Sequence, residues 1–135
     1  MKKILITLLV LAIIGAGYGY YMYNKPVESL ESKNADVSIS AEDLIKDYEA
    51  DENAANKKYL GKVVLVTGTV SGVTTEEGKK KVSLETSDPI SSIICEMEDN
   101  KEVSTLKAGE LVKVKGMCSG YLSDVILVQS VIVNK

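Results

Sequence analysis

The chain has 135 residues, 45% hydrophobic and 26% charged, with a formal net charge of −3, which allows one domain. It contains no His, Trp or Phe, and all 16 of its basic residues are Lys. Imidazole catalysis, His-ligated metal or haem, and forked guanidinium contacts to phosphate or guanine are therefore excluded.

The first predicted element is a membrane segment. Lys2 and Lys3 precede residues 4–23, an uncharged run of 20 residues. A helix of that length, at about 1.5 Å per residue, crosses about 30 Å of hydrocarbon. Tyr18, Tyr20, Tyr21 and Tyr23 gather at its far end, as aromatic side chains do at a membrane–water interface. Lys2 and Lys3 belong on the cytoplasmic side, which carries the remainder across. The alternative is a cleaved signal peptide, with Gly15, Ala16 and Gly17 as a weak cleavage site. No cysteine follows the apolar run for lipid attachment. Both readings export the domain, as a single-pass membrane protein or as a secreted or periplasmic one.

The chain thus divides into an anchor or signal peptide (1–25), a linker (26–38) and a domain (39–135). Past Pro26 there are 13 Lys against 19 acidic residues, a net of −6, and that surface repels phosphate backbones on average. Residues 27–38 (VESLESKNADVS) are polar and without periodicity, and read as a flexible tether.

Ser40 with Asp43 three residues on is close to a capping box and opens a helix. Leu44, Ile45 and Tyr48 form its apolar stripe, and Ala54, Ala55 and Tyr59 continue a similar face as one long helix or a second short one. Tyr48 and Tyr59 read as core residues with their hydroxyls at the rim. Gly61 ends the helical stretch. Residues 62–70 (KVVLVTGTV) are the strongest strand, with Gly68 and Gly72 placed to allow bending. A hairpin loop with Gly78 at its turn leads to a short strand over 81–85. Asp88-Pro89 breaks the chain before a third strand over 92–97. Asp99 to Glu102 has capping-box spacing and starts a short helix. Strands over 111–117 and 125–133 follow. Five strands with a helix before the first and a helical connection between the third and fourth is the layout of the OB-fold, a Greek-key barrel; a β-sandwich needs about seven strands.

On residues 41–48 (AEDLIKDY), 59–70 (YLGKVVLVTGTV) and 109–127 (GELVKVKGMCSGYLSDVIL), the chain resembles the tRNA_anti-like family of OB-fold proteins, many of them in bacterial envelopes. The resemblance implies fold and exported location. The family name denotes similarity to the anticodon-binding fold, not an activity. Asp51-Glu52 stands where the family pattern has Asn-Glu.

Cys95 and Cys118 are the only cysteines. A bridge between them would close a loop of 24 residues and stabilise by about 3 kcal/mol; the alternative is two buried thiols on strands too far apart to bond. The loops over 71–80 and 118–124 flank the usual OB binding face. The binding-face candidates there are Lys79, Lys80, Lys81, Ser119, Tyr121 and Asp124. Against them stand a solvated hairpin with Glu76 and Glu77 beside the lysines, and Asp124 as a loop cap. Asp47, Glu49, Asp51 and Glu52 lack EF-hand spacing and read as a solvated helix face. No cofactor or metal is expected, and no enzymatic activity. The expected function is a membrane-tethered envelope module binding a protein, a glycan or a small ligand. Oligonucleotide binding is the alternative, disfavoured by charge, by the absence of Arg and by strands without aromatic residues.

Overall fold

The computed structural model describes residues 1–25, 29–98 and 102–134, apart from the side chains of Glu102 and Asn134. Its first helix, α1 (Lys2–Asn24), contains no buried residue and is long and apolar enough to cross a membrane. The other elements are β1 (Val37–Ser40), α2 (Ala41–Ala50), α3 (Glu52–Tyr59), β2 (Val63–Glu76), β3 (Lys79–Leu84), β4 (Ile93–Met97), a 3-10 turn (Glu102–Thr105), β5 (Leu111–Leu122) and β6 (Asp124–Asn134).

The protein is mainly β, with a six-stranded sheet in the order β1-β2-β3-β4-β6-β5 and an additional pairing between β2 and β5. The N-terminal half of β2 pairs with β5 (Val63 with Met117 to Thr69 with Leu111), and its C-terminal half with β3 (Val70 with Leu84 to Glu76 with Lys79). The pairings therefore run in a circuit, β2-β3-β4-β6-β5 and back to β2. A register shift between Val70 and Gly72 marks where β2 leaves one partner for the other. At the β2–β3 turn, Glu77 and Gly78 both have positive φ (50° and 78°), as a type I′ hairpin requires.

The inward faces of these strands form one core with α2 and α3. Val64, Val66, Val82, Leu84, Ile93, Val114 and Leu127 are fully buried. Each such side chain contributes roughly 1.5–3 kcal/mol. The helical stretch is two helices because Asp51 adopts an extended conformation (φ −161°) that ends α2. Its carboxylate then accepts from the Ala54 amide at 3.1 Å and caps α3, a role Asn fills equally well. Ser40 caps α2 as expected, accepting from the Asp43 amide at 3.1 Å. Gly116 has no room for a side chain: a Cβ there would lie 2.5 Å from Ser130 Oγ and 2.9 Å from Leu127 Cβ.

Two expectations need correction. There are six strands rather than five, the additional one being β1, which pairs parallel to β2 (Val37 with Val64 to Ser40 with Thr67). And the segment read as a flexible tether is docked over its described part. Leu30 is 0% exposed. Buried Lys115 donates from Nζ to the carbonyl oxygens of Glu31 (3.0 Å) and Lys33 (2.6 Å). Asp36 and Val63 exchange bonds: the Asp36 amide donates to the Val63 carbonyl at 2.8 Å, and the Val63 amide to Asp36 Oδ2 at 2.9 Å. The short helix expected after Asp99 begins outside the described residues; the turn at 102–105 that follows buries Val103 and Leu106.

Candidate binding cleft

Helix α3 lies beside the end of β5, where the chain turns into β6. Glu52, Asn56 and Leu60 recur every four residues and therefore line one edge of the helix. Together with Ser119, Gly120, Tyr121, Leu122 and Ile126 they enclose an open cleft of about 290 Å³. The floor is aromatic. Tyr121 stacks on Tyr48 with ring centroids 5.3 Å apart and planes at 24°, and Tyr48 in turn packs on Tyr59 at 6.0 Å.

The hydroxyls beneath this floor are held from the protein side. Tyr48 Oη lies 3.2 Å from Cys118 Sγ, and Tyr59 Oη donates to Asp47 Oδ2 at 2.5 Å. Burial, followed by the bond to Asp47, pushes the Tyr59 hydroxyl up to about 12. Burial, followed by contact with Cys118, also raises Tyr48. Both tyrosines are core residues, as the sequence indicated, and both stay neutral through the physiological range.

Among the binding-face candidates, the structure brings Ser119 and Tyr121 together in the cleft and places the others elsewhere. Lys79 stands opposite Glu76 at the far end of β2. Lys80 Nζ donates to Ser104 Oγ at 2.7 Å. Lys81 pairs with Glu76 at 2.6 Å and Glu96 at 3.7 Å, which offsets its own charge. Asp124 Oδ1 accepts from both the Ser92 amide (2.8 Å) and its hydroxyl (3.0 Å), fastening the start of β6 to the residue before β4. This is a clamp between strands, where the sequence suggested a cap within its own loop.

The crosslink between Cys95 and Cys118 is not formed; both are buried free thiols. The reason lies in the sheet. Cys95 on β4 and Cys118 on β5 both pair with Leu127 of β6, one from each side. Two strand spacings, roughly 10 Å, separate them, beyond the ~7 Å that a disulfide spans. Burial alone pushes the Cys95 thiol up to about 12, which makes it inert.

The sequence did not reveal Glu52, Asn56, Leu60, Leu122 and Ile126 as cleft residues. The four-residue spacing on α3 was the available signal, but nothing in it identified the opposing strand. A second hollow of about 380 Å³, between β2, β3 and the loop before β4, is lined largely by Ser and Thr. Several of their hydroxyls are already used: Ser71 Oγ donates to the Ser83 carbonyl and Thr86 Oγ1 to that of Ser91. No group of three or more His, Cys, Asp or Glu able to hold a metal occurs among the described residues.

Fold and cleft together define a small β protein led by a membrane-length apolar helix. The chain belongs to the tRNA_anti-like family, whose profile matches residues 1–132. Among solved structures, it is similar to a Klebsiella pneumoniae lipoprotein named as a candidate nucleic acid-binding protein. The TM-score is 0.56 and the identity 15%, over 70% of this chain and 91% of that one. This likeness bears on fold alone. Similarities to the S. pombe Stn1–Ten1 complex (TM-score 0.42, 18% identity, 49% of this chain and 52% of that one) and to a chain from Leishmania major named as a candidate aspartyl-tRNA synthetase (0.46, 14%, 92% and 26%) are too remote to add to it. No curated protein matches the chain.

Proposed function

We propose that this protein is an OB-fold module held at the outer side of a membrane by α1, where it binds or scaffolds and does not catalyse. The observation that carries this reading is the docked lead. Residue 24 ends a helix of spanning length and residue 30 is already buried in the domain, so five residues join the two. The circuit β2-β3-β4-β6-β5, with a helical turn between β4 and β5, supports the OB barrel. The orientation is supported by Lys2 and Lys3 ahead of the apolar run. In an oxidising compartment Cys95 and Cys118 would remain reduced for the geometric reason given above. The lack of enzymatic activity is supported by the missing residue types.

Membrane fractionation tests the reading. The full-length chain should stay in the pellet after alkaline carbonate extraction, and externally added protease should cleave the domain in spheroplasts. Recovery of full-length chain in the cytosol would contradict it. A second reading, single-stranded nucleic acid binding, is favoured by the name of the similar Klebsiella protein. Against it, β3 and β4 hold no aromatic residue and Lys81 is paired with two carboxylates. Salt-dependent binding of single-stranded DNA or RNA would establish that alternative.

A further inference from the structure

The lead bears on which end of the domain faces a bilayer. β1 runs parallel to β2, so the lead meets the sheet where β2 starts, and Asp36 exchanges its bonds there with Val63. The six Cα steps from Asn24 to Leu30 reach about 20 Å at full extension. Leu30, buried in the domain, therefore stays within that distance of the lipid face where α1 ends.

The same end carries exposed apolar side chains from three segments. Leu60, just before β2, is 49% exposed. Beside it the β5–β6 hairpin runs past the start of β2: the Gly61 amide donates to the Cys118 carbonyl, and the Cys118 amide to that of Lys62. Leu122, at the hairpin tip, is 81% exposed, and it lines the cleft together with Leu60. Ile90, 82% exposed, lies two residues before Ser92, which Asp124 clamps to the same tip. Lys57 and Lys62, both exposed, stand on either side of Leu60 in sequence. The nearby Lys58 is paired with Asp47 at 3.5 Å, and Glu52 is at the other end of α3. Single exposed apolar residues are ordinary, and Leu111 and Val133 at the opposite end of β5 and β6 are exposed too. The tether is what sets the first group apart.

Apolar tips beside lysines suit the boundary between headgroups and acyl chains in an anionic bilayer. We propose that the domain seats on the bilayer through this end: Leu60, Leu122 and Ile90 enter the boundary, and Lys57 and Lys62 meet anionic headgroups. The cleft between Leu60 and Leu122 then opens onto lipid instead of solvent. This rests on α1 being the membrane anchor, and the experiment separates the two.

The full chain, with labelled Ile, Leu and Val methyl groups, is mixed with nanodiscs of equal parts phosphatidylcholine and phosphatidylglycerol carrying a gadolinium-chelating lipid. Co-elution with the discs reports on α1. Paramagnetic relaxation should be about tenfold or more stronger at Leu60, Ile90 and Leu122 than at Leu111 and Val133, because seated methyls lie within about 10 Å of the headgroups. Leu60→Gln with Leu122→Gln, at exposed positions, should lower the enhancement at Ile90 about fivefold. Lys57→Gln with Lys62→Gln, or discs of phosphatidylcholine alone, should lower it about twofold or more. Leu111→Gln should leave it unchanged. A chain that does not co-elute would overturn the membrane reading and the seating with it. A chain that co-elutes but relaxes equally at both ends, or keeps the full enhancement at Ile90 in the double leucine variant, would overturn the seating alone.

Discussion

Two charged, polar stretches of this chain have opposite fates. Residues 29–40 lie against the sheet, with Leu30 fully buried, backbone carbonyls held by Lys115, and a parallel strand on β2. The hairpin around residues 74–81 projects, with most of its residues exposed and Lys81 paired to Glu76 and Glu96 near the surface. Composition does not distinguish them. What differs is the partner each meets. The N-terminal half of β2 offers the lead an open edge, while the C-terminal half offers the hairpin only β3. Docking is thus decided by which backbone edges the rest of the fold leaves unpaired.

The largest expected effect falls on the docked side. Leu30→Ala should destabilise the domain by about 3 kcal/mol in chemical denaturation, the cost of removing a fully buried leucine. A change below about 0.5 kcal/mol would show that the lead is only loosely apposed. Lys115→Met removes the donor that serves two carbonyls and should cost about 2 kcal/mol, with faster hydrogen exchange in the lead.

A further effect, confined to alkaline pH, belongs to the core. Cys95 shifts from 9.0 to about 12 and Tyr59 from 10.0 to about 12. In both, the folded state holds its proton longer than the unfolded chain. Stability is therefore complete below about pH 9 and falls as the pH rises towards about 12. Thermal melts between these limits should show a steady decline, and Cys95→Ala should flatten its first part. The smallest effect is at the hairpin: Lys81→Ala should leave the midpoint of chemical denaturation nearly unchanged, because exposed ion pairs contribute little. A larger loss would erase the contrast between the two stretches.

Most of the elements were legible from local pattern. Ser40 and Asp51 stand at helix starts, Gly61 has the positive φ (74°) of a helix end, and the alternation of β5 is plain in its sequence. The lead was not legible, because its docking rests on Lys115 and Val63, whose bonds reach back 27 to 84 residues. Only Val37 and Ile39 in β1 are apolar, too few to set a period. The cysteines show the same limit: their spacing along the chain admitted a bridge, and only the sheet order puts Leu127 between them. In the cleft, Tyr121 and Ser119 were found from the loop position, whereas Asn56 became visible only once α3 was set beside β5.

Hydrogen exchange of the full chain in lipid nanodiscs tests the docked lead most directly. The Asp36 amide, bonded to the Val63 carbonyl at 2.8 Å, and the amides of β1 that face β2 should exchange orders of magnitude more slowly than that of Glu77 at the hairpin turn. Exchange of residues 36–40 at the rate of an unstructured chain would mean that the domain swings on a free tether, and would contradict this account.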